Sequence, residues 1–340
     1  MAAALARSLP LMGAPNLLLS FQPDEVYRAP TDDGAAIALG RYHPRGPRRF
    51  DEPVLLCHGM GANRFHLDFD EHYSLARHLA RRGFEAWVLE LRGRGLAGTP
   101  VDATFDDEAQ HDVSAALRVV RATGADKALW VGHSKGGLLA WAHLARNPDA
   151  PIAAVAALGS PVVFDVQPAL RYLLKSTASR LRLKSIPLAK TSAFALLSAS
   201  PGPFGHYILL EENTDPEVTR RMVANVTADI PGGVARQFAR WMATGRWDGE
   251  DGFDYARGLS GVRAPSLLLA GAKDLIAPPS TVSPALKLLG GPTELVVAGR
   301  AYGFVADYGH ADLPLGRRSP EEIFPVVTRF LEAHGTPCAG

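Results

Sequence analysis

Short apolar runs rich in Val, Ile and Leu recur along the chain, and longer stretches with helical spacing separate them. The short runs predict strands at Glu25–Arg28, Ala36–Tyr42, Val54–Cys57, Glu85–Leu91, Ala128–Gly132, Ile152–Leu158, Ser266–Ala270 and Glu294–Val297. From Val54 onward they are almost continuously apolar, as expected of parallel strands buried on both faces. The first two have no crossover helix between them, and Asp33-Gly34 marks a hairpin turn. Start and stop signals predict helices over His72–Arg82 before Gly83, Asp112–Thr123 before Gly124, and Ser134–Asn147 before Pro148. A last helix is predicted over Pro320–Ala333, with Ser319 as N-cap and Glu322 closing a capping box. Strands alternating with helices mean a mostly parallel sheet with helices on both faces.

Between Val162 and Ser260 the alternation stops. The interval holds no strong strand pattern but several amphipathic stretches: Ala169–Ser176, Lys190–Leu197, Pro216–Asn225 and Val234–Thr244. So long an interval is rarely a plain connection. The expected organisation is a core domain formed by residues 1–161 and 261–340, with residues 162–260 inserted as a helical cap. Apolar residues such as Leu170, Phe194, Phe204, Trp241 and Met242 either line an acyl pocket or pack the cap onto the sheet.

Composition narrows the classes. Of the 340 residues, 47% are hydrophobic and the net charge is +1. A large core is possible, and no basic field exists to gather nucleic acid or anionic lipid. Pro10 and Pro15 interrupt the mildly apolar N-terminus, and no run reaches the ~20 apolar residues of a membrane span. The cysteines, Cys57 and Cys338, suit neither a disulfide framework nor zinc. The expectations are a cytoplasmic protein with no metal or other cofactor.

Candidate chemistry begins at Gly132-His-Ser134-Lys-Gly136. G-x-S-x-G alone is weak, but here it follows an apolar strand and opens a helix, as a nucleophile elbow requires. Such a turn pushes the serine hydroxyl clear of the sheet and sets it at a helix N-terminus, where N–H groups meet a developing oxyanion. The strand Val54–Cys57 ends in His58-Gly59-Met60-Gly61, a turn able to present the Met60 N–H. Met60 and Lys135 are the expected oxyanion donors through their main chain, which leaves their side chains little part. His58, ahead of the turn, reads as structural.

A serine needs a base, and the base needs an orienting acid. Asp274 stands just past a late strand, at the functional edge of such sheets. His310 lies between the last strand and the last helix, after Gly309. The order Ser134, Asp274, His310 suits the elbow fold. Rivals are Asp165 for the acid and His334 for the base. Arg64, His66 and Asp68, just beyond the oxyanion turn, fit substrate contact or a structural role equally.

The segments CHGMGANRF, GHSKGG, AGAKDLIAPP and DYGHADLPLGRRSPEEIFP resemble the α/β-hydrolases, most closely their acid-lipase-like branch, and more distantly polyhydroxyalkanoate synthases. The latter carry Cys where Ser134 stands. The resemblance implies an α/β-hydrolase fold with an eight-stranded, mostly parallel sheet. It also implies hydrolysis of carboxylic esters by a Ser134–His310–Asp274 triad through an acyl-enzyme. Two departures stand out: Lys135 occupies a position often held by Gln, and the cysteines of a bridged secreted lipase are missing. The expected partner is a small, apolar ester. An acyltransferase or thioesterase on the same triad, or a non-catalytic hydrolase-like binding protein, fits the same residues. Dehalogenase and epoxide-hydrolase chemistry would need an Asp at the elbow.

Overall fold

The computed structural model describes residues 17–20, 22–99, 101–164, 184–187 and 208–338. Its strands are β1 (Glu25–Pro30), β2 (Ala36–Tyr42), β3 (Val54–Cys57), β4 (Ala86–Glu90), β5 (Ala128–His133), β6 (Ile152–Leu158), β7 (Ser266–Gly271) and β8 (Thr293–Ala298). They form one eight-stranded sheet in the order β1-β2-β4-β3-β5-β6-β7-β8. β2 pairs antiparallel with β1 and with β4, and every later pairing is parallel. The predicted strands therefore all form, within a residue or two of their expected ends. The β1–β2 turn closes at Gly34, whose φ of 85° explains the glycine.

The main helices are α1 (Leu75–Arg81), α2 (Val113–Arg121), α3 (Lys135–Arg146), α4 (Pro216–Asn225), α5 (Gly232–Thr244) and α6 (Ser319–His334). One face of the sheet carries Leu117, Leu138, Leu139 and Trp141 of α2 and α3, and the other Leu75, Leu79, Phe324, Val327 and Leu331 of α1 and α6. β3, β4, β5 and β7 are buried throughout, which is why their sequences show no polar alternation.

Three helix starts differ from the sequence reading. α1 begins at Leu75 rather than His72, because the Ser74 side chain caps it by accepting from the Arg77 N–H. Helical structure ahead of α2 begins at Phe105, where Thr104 and Asp107 form a capping box, and passes through one π-helical turn at Glu108–Asp112. At α6, Ser319 does not cap. Its hydroxyl donates to the Asp312 carbonyl at 2.8 Å. Glu322 accepts from the Val305 N–H at 2.5 Å and the Tyr308 hydroxyl at 2.9 Å. Both side chains find partners in the preceding loop, so the local capping box never closes.

Of the four amphipathic stretches in the 162–260 interval, α4 and α5 are formed, and Ala169–Ser176 and Lys190–Leu197 lie outside the described residues, as do Leu170, Phe194 and Phe204. A short antiparallel pairing joins Ser185–Ile186 to Ile230–Pro231. Trp241 of α5 is fully buried against Phe105, Phe164 and Phe238. It belongs to the core rather than to a pocket wall. No helix among the described residues is long and apolar enough to cross a membrane.

Candidate active site

The carboxyl ends of the parallel strands gather the candidate residues at one edge of the sheet. β5 runs into Ser134, which has φ 53° and ψ −118° and is the only described non-glycine residue with positive φ. Such backbone costs on the order of 1–3 kcal/mol and persists only where its surroundings enforce it. Here they are glycines and backbone. A Cβ on Gly132 would lie 2.3 Å from the Gly136 carbonyl carbon, and one on Gly136 would lie 2.2 Å from the Cys57 oxygen. Strand, turn and helix touch so closely that no side chain fits between them. The Ser134 N–H donates to the Leu158 carbonyl at 2.7 Å, and its own carbonyl accepts from the Ser160 hydroxyl at 2.8 Å.

The turn after β3 meets the elbow. A Cβ on Gly59 would lie 3.2 Å from the Ser134 Cβ. Neither the Met60 nor the Lys135 N–H has a protein acceptor among the described residues. Lys135 opens α3, so its amide is one of the donors that a helix leaves unpaired. Two open N–H groups therefore sit on the two segments flanking Ser134.

Asp274 stands in the turn after β7. Its Oδ1 accepts from the N–H groups of Ile276 at 2.8 Å and Ala277 at 2.7 Å. Its Oδ2 takes the Nδ1 of His310 at 2.7 Å. With Nδ1–H donating to the acid, the neutral ring leaves Nε2 as an acceptor. Gly159, one residue past the Leu158 that holds the Ser134 amide, backs this pair: a Cβ there would lie 3.2 Å from His310 Nδ1 and 3.4 Å from Asp274 Oδ2. On the elbow side, the His133 Nε2 donates to the His310 carbonyl at 3.0 Å. Residues 133 and 134 therefore abut His310 and the strand that backs it.

The chain that closes the long interval ties this edge together. Asp312, fully buried, accepts from the Gly309 N–H at 2.9 Å, the Asn213 Nδ2 at 3.1 Å and the Leu210 N–H at 3.4 Å. The Ala311 N–H donates to the Ile208 carbonyl at 2.8 Å. On the other side, the Asn63 N–H donates to Val226 at 3.1 Å and the Ala228 N–H to Gly61 at 2.9 Å. Residues 208–228 thus join the base loop to the turn that carries Met60. Burial pushes the Asp312 carboxyl up to about 6, against the hydrogen bonds that favour its charge.

The remaining candidates divide cleanly. Asp165 lies outside the described residues. His334 rests on Phe330 at the end of α6, whose following tail pairs with Phe50 ahead of β3, at the opposite edge of the sheet. His58 is buried, bonds through Nδ1 to the Gly59 carbonyl at 2.9 Å, and is kept neutral by burial. Asp68 is buried on Tyr42, Ser74 and Arg64, a structural anchor. His66 packs edge-on against the His133 ring, 4.4 Å between centroids, and burial lowers it to about 3.

Asp33, Asp107 and His111 bring ligand atoms within 4.8 Å of one another. Asp33 is taken by Arg92 at 2.5 and 3.0 Å, and Asp107 by the Thr104 N–H at 2.8 Å. That corner is an ion-pair cluster of the β1–β2 turn, with its carboxylates already engaged.

Sequence reasoning missed the Lys135 side chain. It is fully buried on Glu108, which also accepts from Arg94 at 2.8 Å. G-x-S-x-G constrains backbone only, so nothing in the motif signals where the lysine points. Asp312 carried a signal, its place two residues after His310, but two of its side-chain partners, Leu210 and Asn213, lie about a hundred positions away.

This sheet order, with a strained serine between strand and helix and a His–Asp pair beyond it, defines a hydrolase-type α/β architecture. Residues 52–315 match the family model for the alpha/beta hydrolase fold, and the chain belongs to that family. It is 31% identical over 147 residues to triacylglycerol lipase 1 of Arabidopsis thaliana, a match covering 39% of this chain and 37% of the lipase. It is 29% identical over 144 residues to gastric triacylglycerol lipase of Homo sapiens, covering 37% and 36%. The chain thus matches little more than a third of these relatives' length. Among solved structures, a thermophilic esterase from Thermogutta terrifontis superposes with a TM-score of 0.63 at 21% identity, covering 92% of this chain and all of that one. An esterase from Exiguobacterium antarcticum gives 0.63 at 16%, with the same coverage.

Proposed function

We propose that this protein is a serine hydrolase of carboxylic esters, working through an acyl-enzyme on Ser134. The observation that carries the reading is the forced positive φ of Ser134 beside the bonded Asp274–His310 pair. Backbone strain at a hydroxyl-bearing residue on the functional edge of a sheet is hard to explain by stability.

In this mechanism His310 Nε2 takes the Ser134 proton as Oγ attacks the ester carbonyl. Asp274 holds the tautomer and stabilises the imidazolium. The oxyanion rests on the Met60 and Lys135 N–H groups, one such donor being worth about 3 kcal/mol. His310 then protonates the leaving alcohol, and water repeats the sequence on the acyl-enzyme. Residues 162–260 serve as a cap. The hydrogen bonds from residues 208–228 to both the base loop and the oxyanion turn support that reading. The lipase relatives favour an apolar acyl group.

The test is a fluorophosphonate probe together with p-nitrophenyl esters of graded chain length. Wild type should form one adduct, on Ser134, and hydrolyse the esters. Ser134→Ala should fold normally, resist labelling and lose on the order of a thousandfold or more in kcat. Near-normal esterase activity in Ser134→Ala would overturn the assignment.

A further inference from the structure

Lys135 follows the nucleophile, and its ammonium is sealed in the protein. Its side chain and that of Glu108 are fully buried, and Arg94, the second cation on Glu108, is 1% exposed. Glu108 opens the π-helical turn Glu108–Asp112. Such a turn disturbs the helical hydrogen-bond ladder, and the Ala109 carbonyl accepts from the His143 Nδ1 at 2.9 Å. Lys135 and His143 both belong to α3, so the helix grips the turn at two points two helical turns apart. Separately, the Trp130 indole N–H of β5 holds the first turn of α3 at the Gly136 carbonyl, 3.0 Å away.

A buried ion pair is a poor way to stabilise a fold. An apolar side chain of similar volume is usually as good or better. Here the case is clearer still, because removing Lys135 would leave Glu108 paired with Arg94. We propose that Lys135 is a positioning residue for the oxyanion site: its ammonium clamps the first turn of α3 to Glu108, fixing the direction of the Lys135 N–H beside the sterically held Ser134 while negative charge grows on the substrate oxygen. The inference rests on the hydrolase reading and deepens it.

The clamp has a pH signature. Burial lowers the lysine to about 8, with Glu108 opposing that shift and Arg94 adding to it. Of the other groups facing it, only Asp112 titrates nearby, and it gains charge rather than losing it as pH rises. Cys57 at the end of β3 is pushed up to about 12, Glu108 is held at about 2, and His58 stays neutral. Asp112 across the π turn is raised by burial to about 7, on the acid side. Turnover should therefore fall on an alkaline limb near the lysine's value, as the ammonium loses its proton.

The experiment compares wild type, Lys135→Met and Glu108→Gln with a p-nitrophenyl ester, reading kcat, KM, melting temperature, pH profile and fluorophosphonate labelling. Lys135→Met should melt at or above the wild-type temperature and keep KM within about twofold. It should lose about tenfold in kcat, less than deletion of an oxyanion donor, and lack the alkaline limb. Glu108→Gln, which removes the one buried carboxylate that both cations bond, should lower kcat and melting temperature together. The inference falls if Lys135→Met turns over like wild type with the same alkaline limb. It also falls if that variant unfolds or loses melting temperature in step with kcat, since the lysine is then structural. If wild type forms no adduct at Ser134, the hydrolase reading falls first.

Discussion

The elbow and the base loop lie side by side, yet they are held by different physics. At the elbow, contact between backbones leaves no room for a Cβ on Gly132 or Gly136, and the nearby charges are sealed from water. The base loop is partly open, with Tyr302 60% and Val305 66% exposed. Hydrogen bonds from distant segments hold it: Glu322 of α6 on one side, and Leu210 and Asn213 through Asp312 on the other. Steric enforcement is all-or-none, because a packed backbone has nowhere to go. Hydrogen-bonded enforcement is graded, because each bond contributes about 1 kcal/mol. The Ser134 conformation should therefore be lost only with the fold, whereas His310 can be misplaced in a folded protein.

The sharpest way to break this contrast is Gly136→Ala. The new Cβ would meet the Cys57 carbonyl oxygen at 2.2 Å, a backbone atom that cannot move without shifting β3. We expect a loss of about 3 kcal/mol or more, read as a large fall in melting temperature or as insoluble protein. A well-folded Gly136→Ala variant with normal labelling of Ser134 would show that the elbow is not sterically fixed.

Asp312→Asn tests the other region. One carboxylate oxygen becomes an amide donor facing N–H groups that need an acceptor, at a cost of about 2 kcal/mol. The variant should stay folded and lose more in kcat than in KM, since His310 is mispositioned rather than substrate excluded. The pH dependence has a definite sign. Burial raises this carboxyl from 3.8 to about 6, so between those values the folded protein binds more protons than the unfolded chain. Stability from this group rises as pH falls through that window. The stability gap between wild type and Asp312→Asn should therefore widen on acidification from about 6 toward 3.8, measured by urea unfolding at a series of pH values. A gap that narrows would mean that the carboxylate is stabilised in the fold.

Much of this arrangement was legible in the sequence, and the pattern of what was not is physical. Strands from Val54 onward announce themselves because burial on both faces leaves only apolar residues. Ser134, Asp274 and His310 could be placed because each sits at a strand end or a glycine turn, both local signals. The helical start at Phe105 was also local, in Thr104 and Asp107, but a π turn has no period of its own and hides the continuity with α2. Ser319 and Glu322 carried a capping-box pattern that the structure spends elsewhere, because the base loop folds back within reach. The partners of Lys135 and Asp312 are long-range. Glu108 is 27 positions from Lys135, and Asn213 is 99 from Asp312, so only the folded chain shows what these charges touch.

Asn213→Ala makes the finest cut, because it severs one strand of the coupling from the far side. The Asn213 Nδ2 donates to Asp312 at 3.1 Å, while its Oδ1 has no side-chain or backbone partner among the described residues. Removing the amide leaves Asp312 with the Gly309 and Leu210 N–H groups, so the loss should be about 1 kcal/mol. If residues 208–228 set the base through Asp312, Asn213→Ala and Asp312→Asn act on one link. Their effects on kcat should then fail to add, with the double variant no worse than Asp312→Asn alone. Full additivity would mean that Asn213 steadies its own segment and that the base loop stands without it. The link between residues 208–228 and the His310 loop would then rest on the Ala311–Ile208 backbone bond, and Asp312 would serve its own loop rather than carry the proposed coupling to the cap.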